Sequence, residues 1–193
     1  MRTNDFKTMK NGFRKSVRGY ALTELLLVLG IIALVLGAIA AIAVTTSAGQ
    51  TAQNESRLID SAANKIRTIY SSQPDFSGLN NTVSTQIEAW PTSMVSGPAA
   101  IFNSWGGAIN VVSPATAVSG QVASRLFSID SENVSQDSCA DLATASTTAL
   151  GISVAGTPVY ERGVPALDPV DSAGAAAACG EGVTIMFTYG KNS

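Results

Sequence analysis

The hydrophobic pattern changes period along the chain, and each change predicts a different element. From Leu25 to Val44, 20 residues pass without a charge; at about 1.5 Å per residue they make roughly 30 Å of helix, the thickness of a bilayer's hydrocarbon core. After a polar stretch from Thr45 to Gln50, apolar residues return at helical spacing as Leu58, Ile59, Ala62, Ala63, Ile66, Ile69 and Tyr70. Glu55, Arg57, Asp60, Asn64, Lys65 and Arg67 interleave with them as the expected wet face. Pro74 closes the pattern. One helix is therefore predicted over residues 20–72, spanning a membrane at 25–44 and continuing as an amphipathic segment whose apolar stripe must pack on something. Gly30, Gly37 and Gly49 are expected points of bending or close helix approach.

Beyond Pro74 the signal becomes short and turn-rich. Residues 75–100 read as connection, with one short helix from Thr82 to Trp90 closed by Pro91. Strands are predicted at Ala108–Val112, Ser124–Ile129, Gly151–Val154 and Thr157–Tyr160. The last, Val183–Tyr189, alternates Val183, Ile185, Phe187 and Tyr189 with Thr184, Met186 and Thr188, as a strand buried on one side does. Ser135–Ala145 reads as a helix capped by Ser135, with Asp137 in its first turn; an alanine run leads to Cys179. A long helix followed by several strands defines an α+β domain, with an antiparallel sheet covering the amphipathic half of the helix.

Charge adds an orientation. Arg2, Lys7, Lys10, Arg14, Lys15 and Arg18 place six of the 12 cations before Gly19, against Asp5 alone, so this leader carries +5 and the rest of the chain −7. So acidic a body excludes non-specific nucleic-acid binding. The basic leader stays in the cytoplasm and the C-terminal domain crosses the membrane. Cys139 and Cys179 both fall in the exported part, where an oxidising compartment favours a disulfide; a pair of buried free thiols is the alternative, since spacing does not fix their separation.

Glu24 sets the apolar run apart, because a carboxylate at its lip is costly and invites a functional reading. The stretch Arg18-Gly19-Tyr20-Ala21-Leu22-Thr23-Glu24-Leu25-Leu26-Leu27-Val28 resembles the processing site of type IV prepilins. The resemblance implies a leader peptide over 1–19, cleavage between Gly19 and Tyr20 by a prepilin peptidase, and N-methylation of Tyr20. It also implies an assembly role for Glu24, the fifth residue of the mature chain. Tyr20 stands where the type IVa branch usually has phenylalanine, and the leader is long for that branch, which leans the resemblance towards type IVb. Asn103-Ser104-Trp105-Gly106-Gly107 is similar to the lead-in to the first strand of type IVb pilins of thin conjugative and adhesive pili; its plainer reading is an aromatic anchor beside a turn.

The family's architecture would divide the chain into the leader, the helix 20–72 and a globular pilin head over 73–193 with a disulfide-bounded region 139–179. Its partners would be further copies of itself in a helical homopolymer, the prepilin peptidase, the pilus assembly machinery and the bacterial inner membrane. It would serve as a major pilin in adhesion, aggregation or conjugation, and be extracellular once assembled. Other readings are a minor pilin, a type II secretion pseudopilin or a membrane-anchored periplasmic binding module. An uncleaved anchor, or a secretory signal cut near Ala38-Ile39-Ala40 or Ala41-Ile42-Ala43, competes with prepilin processing.

The sequence offers no catalytic set. It has no histidine, which removes the commonest general base and the usual hydrolytic triads. Gly151-Ile152-Ser153-Val154-Ala155 falls one residue short of a nucleophile elbow. Asp137 and Asp141 lack the oxygen-rich loop of a calcium site and read as a solvated helix face. No cofactor, metal or enzymatic activity is expected.

Overall fold

The computed structural model describes residues 18–118 and 120–191; residues 1–17 of the expected leader lie outside them. Helix α1 (Arg18–Ile69) is followed by a 3-10 turn, Tyr70–Ser72, before Pro74. The chain divides into two units between Ala43 and Val44. In the first, the helix presents Leu22 to Ile39 with every side chain exposed. The second holds the rest of α1, then α2 (Asn81–Gln86), β1 (Ile109–Val112), β2 (Leu126–Val134), α3 (Gln136–Ala145), β3 (Gly151–Val154), β4 (Thr157–Glu161), α4 (Ser172–Ala178) and β5 (Val183–Gly190).

The strands form one antiparallel sheet in the order β1-β2-β5-β3-β4, so the last strand is its centre. The α1 stripe lies in the same core as the sheet: Ile59, Ala62, Ala63 and Ile66 are fully buried, with Tyr70 closing the row. Two adjacent alanines in that stripe keep the helix slim where it meets large neighbours. An aromatic run links helix to sheet, Tyr70 to Phe76 at 5.5 Å, Phe76 to Phe127 at 4.7 Å and Phe127 to Tyr189 at 5.5 Å between ring centroids. Such pairs, here tilted, edge-on and stacked in turn, stabilise beyond their buried area, by about 0.5–1.5 kcal/mol each. A smaller cluster of Ala115, Leu126 and Leu150 occupies the opposite side of the sheet at one end.

That second cluster explains where β5 departs from simple alternation. The strand alternates from Thr184, exposed, to Phe187, buried, but Phe187 to Gly190 are then all buried. A Cβ on Gly190 would lie 2.6 Å from Leu150 and 3.0 Å from Leu126, so the opposite face is covered there too.

Other expectations shift in detail. The short helix stops at Gln86 rather than Trp90, because Glu88 takes a left-handed φ of 53° that cannot continue it. Its cap is Asn80, whose side chain accepts from the Val83 amide. Strand β2 begins at Leu126 and continues past the expected end at Ile129 to Val134, since Asp130 and Ser131 still pair with Met186 and Ile185. Ser135 does stand at the cap position of α3, yet its hydroxyl makes no capping bond. The alanine run is helix α4, capped by Asp171, which accepts from the Gly174 amide. Between β3 and β4, Ala155 (φ 49°) and Gly156 (φ 80°) make a two-residue turn with both centres left-handed, the geometry that suits the twist of a hairpin.

Candidate functional site

The residues of the expected processing and assembly site all lie on α1. The Gly19–Tyr20 bond is in its first turn, and Glu24 is exposed one turn further on. Positions 20 and 24 therefore share a helix face. From Leu22 to Ile39, an 18-residue stretch with a mean hydropathy of 2.6, Glu24 is the only charged residue. A continuous apolar surface of that length must be covered by lipid or by other helices. Around Gly30 and Gly37 a Cβ would meet nothing within 4 Å, whereas at Gly49 it would come within 3.0 Å of the Asp141 carboxylate. Gly49 thus marks a close approach of α1 to α3, while Gly30 and Gly37 lie open on the apolar segment.

The head is fastened to α1 by three charged side chains that the helical pattern had placed on the wet face. Glu55 is fully buried; its Oε2 accepts from the Ser104 hydroxyl at 2.7 Å and the Ser104 amide at 3.3 Å, while Oε1 has no partner among the described residues. Burial raises its carboxyl above the ordinary range, and the two bonds from Ser104 pull it back in part. Asp60 Oδ1 accepts from Ser146 Oγ (2.9 Å), Thr148 Oγ1 (2.8 Å) and Tyr189 Oη (3.0 Å), and Oδ2 from the Thr147 amide (3.3 Å). Arg67 donates from Nε to the Gly190 carbonyl (2.9 Å) and from one terminal nitrogen to that of Thr148 (3.0 Å), and its guanidinium stands 5.2 Å from the Tyr189 ring centre. The second half of α1 thereby fixes the 102–107 turn, the 146–148 loop and the end of β5. A sequence signal for Glu55 was present: it sits four residues before Ile59, on the apolar stripe.

The Asn103 to Gly107 turn is held by its first residue more than by its tryptophan. Asn103 Oδ1 accepts from the amides of Trp105 (3.0 Å) and Gly107 (2.8 Å); Nδ2 donates to Ser131 Oγ (2.9 Å) and the Glu132 carbonyl (2.6 Å). Gly107 passes so close to β2 that a Cβ would lie 1.8 Å from the Glu132 carbonyl oxygen. Trp105 is half-buried at the edge of the core.

Cys139 of α3 and Cys179, just after α4, form a disulfide with a Cα separation of 5.8 Å. It joins the two short helices, and Ser138 donates from Oγ to the Ala48 carbonyl of α1 at 3.3 Å. Asp137 and Asp141 are exposed on α3. Among the described residues no three acidic or thiol side chains group as metal ligands would.

A long N-terminal helix, apolar in its first part and packed on a five-stranded antiparallel sheet in its second, with a disulfide in the C-terminal region, defines the class: this is a type IV pilin, a structural subunit and not an enzyme. Residues 49–190 match the family described as PilS N terminal, and the chain belongs to that family. In fold it is similar to the type IVb pilin of Salmonella typhi, with a TM-score of 0.55 and 22% identity over 71% of this chain and 98% of that one. It is also similar to TcpA, a type IV pilin of Vibrio cholerae El Tor biotype, with a TM-score of 0.51 and 16% identity over 75% of this chain and 99% of that one. No curated protein matches its sequence.

Proposed function

We propose that the chain is the major subunit of a type IVb pilus, cut from its precursor after Gly19 by a prepilin peptidase and polymerised through α1. The observation that carries this reading is the wholly exposed apolar segment Leu22–Ile39, interrupted only by Glu24 and continuous in one helix with a buried amphipathic half. Lipid covers that surface in the unassembled subunit, and neighbouring copies of the same segment cover it in the filament. An apolar surface serves equally in both surroundings, whereas Glu24 does not: it needs a cationic partner wherever water is excluded. The amine exposed on Tyr20 by cleavage provides one. The inner membrane holds the precursor and the unassembled subunit, the pilus assembly machinery extracts the latter, and the assembled pilus is extracellular. Filaments sheared from cells expressing the chain test the reading: their subunit should have the mass of a chain that begins at Tyr20 and carries one added methyl group. A subunit beginning near Ala41 or Val44, or no filament at all, would overturn it.

A further inference from the structure

Charged side chains of the head gather at the two ends of the part of α1 that follows residue 43. At one end, Arg67, Thr68, Ser71, Arg125 and Lys191 line a depression of about 350 Å³, and a second of about 290 Å³ shares Arg125 and Lys191 and reaches Val122. Arg162 lies close enough to Arg67 to lower the latter's pKa through like-charge repulsion, after the larger effect of burial. Three of the six cations beyond Gly19 therefore line these depressions, Arg67 with Asp60 near it and Lys191 with Asp75, while Arg162 is flanked by Glu161 and by Asp168, which accepts from the Gly163 amide. The end is identified by the terminus of β5, where Gly190 receives Arg67 and Lys191 donates to the Ser71 and Gln73 carbonyls.

At the other end stand Glu132, Asp137, Asp141 and Glu181, all exposed. They surround the start of β5, where Val183 pairs with Val134, and the Ala48–Gly49 segment of α1, which Ser138 and Asp141 touch. Arg57 is set apart from both, in a depression beside Ala145 and Thr147. Ala48 and Ser71 are separated by about 35 Å of helix at 1.5 Å per residue, more than three Debye lengths at physiological salt, so the two ends do not neutralise each other within one copy.

We infer that the basic depression receives the acidic end of a second copy of this chain, making a head-to-tail contact between pilin heads. A depression lined by cations and an acidic cluster at the other end of the head are not self-complementary across a two-fold axis. They are complementary under repeated translation and rotation, which generates an open helical polymer. Exposed Val122 at the rim of the depression adds an apolar contact to the charged one. The inference rests on the filament reading, to which it adds the surfaces by which heads meet; such steering also selects the register at which a subunit docks.

Full-length chains with reversed charges test it in cells. The groove variant is Arg125→Glu with Lys191→Glu, the acidic-end variant Asp137→Lys with Asp141→Lys; Arg67 is left intact because it holds the core. Each pair alone should lower sheared filament yield about fivefold or more by opposing like charges, with the processed, disulfide-bonded subunit still present in the membrane at wild-type level. The four substitutions together should restore the yield. A zero-length carbodiimide applied to wild-type filaments should join Lys191 to the peptide carrying Glu132, Asp137, Asp141 or Glu181, and should fail to do so in detergent-dispersed subunits. Normal filaments from both pairs, a combined variant no better than the worse pair, or filaments in which Lys191 links to none of these acids would overturn the head contact and leave the filament reading standing. If the reversed subunits do not accumulate, the wild-type cross-link decides alone. Cells that make no filament overturn both.

Discussion

Tyr189, in the central strand, donates its hydroxyl to Asp60 of α1 at 3.0 Å, beneath the Arg67 guanidinium. Burial drives the Tyr189 pKa well up, and the neighbouring Asp60 carboxylate adds to the rise, so the phenol stays a donor throughout the ordinary pH range. Tyr189→Phe keeps the ring and removes one of four donors to Asp60; it should cost about 2 kcal/mol, as for a hydrogen bond to a charged group. Asp60→Ala strands the buried phenol and loosens the 146–148 loop as well, and should cost about 3 kcal/mol or more. Denaturant unfolding of the detergent-solubilised chains measures both. An Asp60→Ala variant no less stable than Tyr189→Phe would show that the carboxylate is not the hub.

The buried Glu55 gives the head a pH dependence of definite sign. Its native pKa lies above the ordinary value of 4.5, so between that value and the raised one the native state holds more proton than the unfolded chain. Stability is then full below 4.5 and falls as pH rises through the native pKa. Asp130, also raised by burial, and with a buried oxygen that has no partner among the described residues, acts in the same direction. Glu55→Gln keeps an acceptor for Ser104 and cannot ionise, so its stability relative to wild type should improve as pH rises above 4.5 and level off beyond the raised native pKa. Parallel pH–stability curves for the two proteins would refute this.

Much of the fold was legible because it rests on periodicity. The long helix, the strand positions from β1 to β5 and the α3 helix follow from apolar spacing that packing then uses. The cysteine pairing needed one more fact, the approach of α3 to the end of α4, which spacing does not contain. What the pattern misplaced were charges. Asp60 and Arg67 read as solvated because a helical wheel knows nothing of loops that return to cover it, as the 146–148 loop does from about 80 residues or more away, whereas Glu55 read so only through its charge, since its spacing from Ile59 already put it on the apolar stripe. The role of Gly107 was likewise invisible, because it depends on the Glu132 carbonyl of another strand.

That close approach makes Gly107→Ala a sharp local test. The new methyl group would have to displace the β2 backbone, so the variant should lose several kcal/mol, at the upper end of what single substitutions do, and yield less folded subunit. Gly106→Ala, where a Cβ meets nothing within 4 Å but φ is 77°, should cost only about 1 kcal/mol through its backbone conformation. Equal losses for the two would mean that β2 yields easily.

The disulfide closes a loop with a sequence separation of 40, worth about 4 kcal/mol on the chain-entropy estimate. That is a large share of the stability of a domain this size. Cys179→Ser should therefore lower subunit abundance and piliation together. Wild-type abundance of the serine variant would show that the α3–α4 contact holds without its covalent link.

Glu24 separates two accounts of assembly. The proposed cleavage after Gly19 would leave an amine on Tyr20, one helical turn before the only carboxylate in the exposed apolar segment. Within one helix the carboxylate interacts favourably with the helix start, and if that is its whole role Glu24→Gln should cost about 1 kcal/mol or less and filaments should form. In a filament the amine of an incoming copy can instead meet Glu24 of a copy already in place, inside apolar surroundings. Removing one partner there leaves a charge without compensation, a loss of about 3–5 kcal/mol by analogy with broken buried pairs. The expected outcome is that Glu24→Gln is exported and processed like the wild type, accumulates in the membrane, and fails to polymerise efficiently on its own. Counting filaments on cells that express only this variant, alongside the mass of the membrane-held subunit, decides between the two: processed subunit with few filaments supports pairing between copies, and normal filament numbers would confine Glu24 to its own helix while leaving the cleavage argument untouched.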